Sequence, residues 1–140
     1  TMSKAFAFAG ARVGYLAADP AVIDALRLVR LPYHLSAFTQ AAALAALAHS
    51  ELMLNAVADI RVQRDRIIAE LIELDLDPYR SDSNFVLFGG LESPKDVWQQ
   101  LLDRGVLVRD VGIEGTLRVT AGTEAETTQF LDTLREVLKG

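Results

Sequence analysis

A chain of 140 residues that is 51% hydrophobic and 24% charged can build a folded core, which excludes a disordered polypeptide. Its formal net charge of −5 leaves no clustered basic face to neutralise phosphates, so nucleic acid is not expected as a partner. There is no cysteine, hence no disulfide framework and no thiolate metal site, a composition compatible with the cytoplasm. The longest apolar run, Ala41–Ala48, falls short of the roughly 18 residues of a membrane helix, and neither a membrane nor a metal is expected.

The first twenty residues begin without a turn or a cap and read as the middle of a domain, so the chain is expected to be a piece of a longer one. Arg12–Ala18 is a candidate buried strand. Asp19-Pro20 then offers an N-cap followed by proline at the first helical position, predicting a helix to about Arg30. Pro32 ends it, and Ser36–Ala48, rich in alanine and leucine, predicts a second helix. From Glu51 to about Leu74, apolar residues at Met53, Val57, Ile60, Ile67, Leu71 and Leu74 recur at helical spacing except where Arg64 interrupts. Such a helix is expected to lie along its own protein.

After Asp77-Pro78 the pattern changes to short strands: Phe85–Phe88 ended by two glycines, then Val106–Arg109, then Leu117–Thr120. Ser93-Pro94-Lys95-Asp96 is expected to cap a helix that runs to Gly105. Thr123, with Glu126 three residues later, makes a capping-box pattern for a final helix carrying Phe130, Leu131, Leu134, Val137 and Leu138. This half is expected to be α+β, a small sheet covered on one face by helices.

Lys4 sits between Ser3 and Ala5-Phe6-Ala7-Phe8. Apolar surroundings disfavour an ammonium, and a neutral amine is a nucleophile that forms Schiff bases with aldehydes. The alternative is a lysine with its head in water. The hydroxyls of Thr1 and Ser3, the glycines at 10 and 14, and Arg12 offer donors and close backbone approach for a phosphate. Arg109 and Arg118 stand on neighbouring strand candidates, where the ordinary alternative is a surface ion pair with Asp110 or Glu114. Asn84 is either a turn residue or a group near a site, and His34 and His49 are assigned no catalytic role.

Ser3-Lys4-Ala5-Phe6, Ala9-Gly10 and Arg12-Val13-Gly14-Tyr15, with arginine eight positions after lysine, resemble the lysine motif of fold-type I pyridoxal-phosphate aminotransferases. Together with RLPYHLSAFTQAAALAAL, SNFVLF and VLVRDVG…TLRVTAGT, the chain is similar in order to the C-terminal portion of the class II branch, the histidinol-phosphate aminotransferases. The resemblance implies an α/β fold overall. It also implies a division into 1–50, the end of a large cofactor-binding domain with the lysine; 51–76, a long connecting helix; and 77–140, a small α+β C-terminal domain. Lys4 would attach pyridoxal 5′-phosphate and carry the catalytic proton, while Arg12, Ser3 and Thr1 would hold the cofactor phosphate. Arg118 would grip the substrate anion and Arg109 would help to bind a substrate phosphate. The small-molecule substrates implied are histidinol phosphate and 2-oxoglutarate, with glutamate as a product, handled by a homodimer.

An aromatic amino acid aminotransferase, a decarboxylase of a phosphorylated amino acid, or a non-catalytic module of a transcription regulator would share these motifs. The family's aspartate for the pyridine nitrogen and its ring-stacking aromatic lie upstream of the lysine. The 140 residues alone are therefore expected to be inactive.

Overall fold

Asp19 starts the first helix as its chemistry requires: its side chain accepts a hydrogen bond of 2.9 Å from Ala21 N–H, and Pro20 occupies the first helical position. The computed structural model describes residues 1–139. It divides into two compact units, Thr1–Val57 and a second that starts at Ala58.

The first unit contains α1 (Pro20–Val29), α2 (Ala37–Ala48) and the start of α3 (Ser50–Glu73). Ser36 caps α2 by accepting from Thr39 N–H at 3.0 Å. Met2, Val13 and Ala43 form a small core, with Phe6, Phe8 and Leu35 packed on it. Arg12–Ala18 forms no strand, contrary to the expectation. A strand's backbone groups need a ladder partner, and in this stretch the pairing stops at the Val13 carbonyl, which accepts from Met2 N–H at 3.1 Å, while Tyr15 and Leu16 stand exposed. No single helix among the described residues is long and apolar enough to cross a membrane.

The second unit is built on a three-stranded antiparallel sheet, β1 (Asp77–Pro78), β2 (Phe85–Gly89) and β3 (Leu117–Thr120), in that order. Helices α4 (Pro94–Asp103) and α5 (Glu124–Lys139) pack with it. One sheet face is buried: Val86 and Phe88 from β2 meet Leu117 and Val119 from β3, Leu101 from α4, and Phe130, Leu131 and Leu134 from α5. Ile67 and Leu71 of α3 join this core, on the face that the helical spacing predicts. At about 25 cal/mol per Å² of apolar surface, burial of these side chains is the main source of stability.

The helix ends are chemically specified. Asp75, in the left-handed region at φ 57°, closes α3: Asp75 N–H donates to Ile72 C=O and Leu76 N–H to Leu71 C=O. Gly105, at φ 80°, closes α4 through bonds from Gly105 N–H to Leu102 C=O and from Val106 N–H to Leu101 C=O. The capping box of α5 forms as predicted, with Thr123 N–H donating to the Glu126 carboxylate at 2.7 Å and Glu126 N–H to the Thr123 hydroxyl at 3.3 Å. The Thr123 N–H and the Thr123 hydroxyl, both donating to the Glu126 carboxylate, hold it below the usual carboxylate range. Ser93 stands at the N-cap of α4 but its side chain makes no capping bond there, unlike the expectation; the fixed φ of Pro94 starts that helix instead.

Glu70 of α3 joins Arg66 on its own helix and Arg135 on α5, and Arg66 also donates to Thr128 at 2.9 Å. Burial pushes the Glu70 carboxyl up, but the hydrogen bonds and charges of the two arginines outweigh it and hold it below the ordinary range.

Candidate active site

The residues from Thr1 to Gly14 fold back on themselves. Met2 N–H reaches the Val13 carbonyl, Ser3 N–H donates to the Thr1 hydroxyl at 3.2 Å, and a Cβ placed on Gly14 would stand 3.3 Å from Thr1 Cα. Glycine is what permits that approach. Thr1, Ser3, Lys4 and the Arg12–Gly14 segment therefore belong to one folded loop. Arg12 has a positive φ of 55° and its guanidinium donates to the Ala9 carbonyl at 2.8 Å, a bond that closes the loop from the arginine side.

The surroundings of Lys4 differ from the expected apolar pocket. Phe6 and Phe8 turn onto Met2, Val13 and Ala43, and the Lys4 side chain is exposed. Their apolar surface is buried more completely against that small core than it would be beside an amine, which keeps its hydration instead. The donor set is one exposed primary amine, two hydroxyls and a guanidinium, beside a glycine where the backbone comes close. This set fits an aldehyde that carries a phosphate: the amine for the carbonyl carbon, the others for the oxyanion.

In the second unit, Arg109 and Arg118 form an isolated antiparallel bridge, with Arg109 N–H donating to Arg118 C=O at 2.9 Å and the reverse bond at 2.8 Å. Directly opposed residues share a sheet face, and this face lies away from the core, since Leu117 and Val119 point inward. Val106–Arg109, expected as a strand, is reduced to this single bridge. The Val108 carbonyl, one residue before the bridge, accepts from the Trp98 indole N–H at 3.0 Å.

Among the described residues, neither guanidinium has a carboxylate within salt-bridge distance. The ordinary alternative fails in particular for Asp110, whose carboxylate accepts from Gly112 N–H at 2.8 Å. Arg109 is exposed, while Arg118 is half-buried, lies over the Phe85 ring at 4.6 Å from its centroid, and has a buried Nε with no hydrogen-bond partner. Two cations on one sheet face with free donors make a seat for a doubly charged anion.

In the sequence, Phe85 is a strand residue with no further signal. Its alternation with Val86 puts it on the arginine face, but only the pairing of Leu87 with Arg118 shows which arginine it meets. Asn84 is half-buried and its backbone carbonyl accepts from Ala121 N–H at 2.9 Å, which anchors the entrance to β2. His34 and His49 are both exposed.

The model of the family described as aminotransferase class I and II matches residues 1–134. Histidinol-phosphate aminotransferase of Paenarthrobacter aurescens is 67% identical over 100% of this chain, and that of Streptomyces avermitilis is 59% identical over 99%; the chain spans 38% of the length of each. Among solved structures, histidinol-phosphate aminotransferase from Sinorhizobium meliloti in complex with pyridoxal-5′-phosphate matches 99% of this chain and 40% of its own, with a TM-score of 0.85 and 29% identity.

Proposed function

Since this chain belongs to the class I and II aminotransferases, we propose that it contributes the cofactor lysine and the substrate-binding arginines of a histidinol-phosphate aminotransferase. That enzyme would exchange the amino group of histidinol phosphate with 2-oxoglutarate, yielding imidazole-acetol phosphate and glutamate. The observation that carries the phosphorylated substrate is the Arg109–Arg118 bridge, two opposed cations with no carboxylate partner among the described residues. One arginine suffices for a carboxylate. A second is justified by the second charge of a phosphate.

Pyridoxal 5′-phosphate, when bound, supplies the electrophilic aldehyde and the electron sink. Lys4 would hold the cofactor's aldehyde carbon through Nζ, and its free amine would take the proton from the substrate Cα and return it to the product side. Its exposure in the loop leaves Nζ free to move between those positions. Arg12, Ser3 and Thr1 would hold the cofactor phosphate, and Gly14 lets the backbone close on Thr1. Arg118 orients the substrate through its anionic group, and Arg109 adds the second charge.

The working form we propose is a cytoplasmic homodimer acting on small molecules, with neither nucleic acid nor membrane as partner. The net charge of −5 supports the exclusion of nucleic acid. Exposed apolar side chains in the first unit, Leu28, Tyr33 and Phe38 among them, support its burial against further protein surface.

The test is selectivity. Arg118→Ala is expected to lower kcat/KM for every anionic substrate, and Arg109→Ala to do so for histidinol phosphate far more than for phenylalanine. Equal losses for both substrates in Arg109→Ala would remove the phosphate role.

A further inference from the structure

We infer that Phe85 is a positioning residue for Arg118, holding the guanidinium in place without occupying the donors that the substrate anion needs. The inference rests on the reading of Arg118 as the arginine of the substrate anion.

The register places it there. Leu87 pairs with Arg118 and Phe85 with Thr120, so Phe85 is the diagonal neighbour of Arg118 on the same sheet face. The guanidinium carbon is 4.6 Å from the ring centroid, inside the range of about 6 Å in which an aromatic face attracts a cation. Among the described residues nothing else fixes that cation: it has no carboxylate partner, and its buried Nε has no acceptor.

Two effects would otherwise spoil the site. Arg109, directly opposite, repels Arg118 and favours swinging it away. An acidic neighbour would hold Arg118 against that repulsion, but it would consume the N–H pairs that recognise a phosphate or carboxylate two at a time. An aromatic ring attracts the charge through its face and leaves the edge donors free. It also lowers the rotamer entropy that the long side chain would lose on binding.

The experiment is calorimetric titration of inorganic phosphate into the pyridoxal-phosphate-loaded enzyme, where the cofactor's own phosphate site is filled. Phe85→Leu keeps the volume apolar but removes the ring face, and Phe85→Tyr keeps the face. Phe85→Leu is expected to weaken phosphate about three- to tenfold and to raise KM for histidinol phosphate in proportion. Its kcat should stay within about twofold and its cofactor absorbance should not change, and Phe85→Tyr should restore wild-type binding.

If Phe85→Leu binds phosphate as tightly as the wild type while Arg118→Ala loses it, the Phe85 inference is overturned and the anion reading stands. If Arg118→Ala also binds normally, the anion reading itself has failed. Should Phe85→Leu not fold, the wild-type enzyme still decides, because the ring current of Phe85 must shift the Arg118 guanidinium proton resonances upfield; resonances at their unshifted positions overturn the inference.

Discussion

Arg109 and Arg118 exchange both of their backbone hydrogen bonds, at 2.9 and 2.8 Å, which sets two cations directly opposite each other on one sheet face. Like charges so placed destabilise a sheet by about 0.2–1 kcal/mol. Arg109→Gln should therefore stabilise the protein by a few tenths of a kcal/mol in phosphate-free buffer. It should also reduce the gain in stability that added phosphate gives the wild type, since only an anion that binds the folded state contributes that gain. Urea melts with and without phosphate measure both quantities, and a less stable Arg109→Gln in phosphate-free buffer would contradict the account.

Lys4→Ala is expected to abolish attachment of pyridoxal phosphate at this site. Borohydride reduction followed by peptide mass mapping reads it directly: the wild type should carry the label on Lys4, and the variant on no single lysine. Loss of the proton carrier alone should cost on the order of 10²–10⁴-fold in rate.

Glu70 keeps its charge to lower pH than a free glutamate, because Arg66 and Arg135 lower its pKa against the opposing effect of burial. A depressed carboxyl stabilises the fold above its unfolded value, about 4.3, and loses that contribution as the pH falls through the folded value. Glu70→Gln should consequently lower stability near neutral pH, with the difference from wild type closing on acidification below the usual glutamate range. A difference that grew on acidification would reverse the sign and reject the assignment.

The α5 capping box gives a prediction independent of the site. Thr123→Ala removes the hydroxyl that accepts from Glu126 N–H and donates to the Glu126 carboxylate. It should cost about 0.5–2 kcal/mol in thermal or urea unfolding. Phosphate affinity should not change, because Thr123 lies outside the arginine pair.

The 140 residues by themselves should not perform transamination at an enzymatic rate. Fixing a reacting group at its target contributes as much as about 7–11 kcal/mol in well-oriented cases, and this chain spans 38% of the curated relatives it matches. Stopped-flow half-transamination with the isolated chain tests this; stoichiometric conversion to pyridoxamine phosphate would show that the site is already complete.

Local chemistry was legible where it decides the outcome by itself. Asp19-Pro20, Ser36, Gly105 and the Thr123/Glu126 pair mark helix ends, and the spacing from Met53 to Leu74 marks the inward side of α3. Long-range pairing was not legible. Arg12–Ala18 has strand-like residues but finds no ladder, and β1 was hidden because Pro78 cannot donate to a sheet and is tolerated only on an edge. Arg64 looked like a break in the apolar stripe, yet it is buried beside Asp65 and reaches toward the Ser83 carbonyl. The identities of Lys4, Arg12, Arg109 and Arg118 came from motif resemblance; the opposition of the last two is a matter of register, which no spacing along the chain encodes.

Trp98 is the one tryptophan of the 140 residues. Its indole N–H donates to the carbonyl of Val108, the residue just before Arg109. The protein thus carries a built-in fluorophore wired to the segment that presents the exposed arginine. Loosening of that hydrogen bond would change the indole emission without any label, so the fluorescence of this chain can follow the Arg109 segment as inorganic phosphate is added.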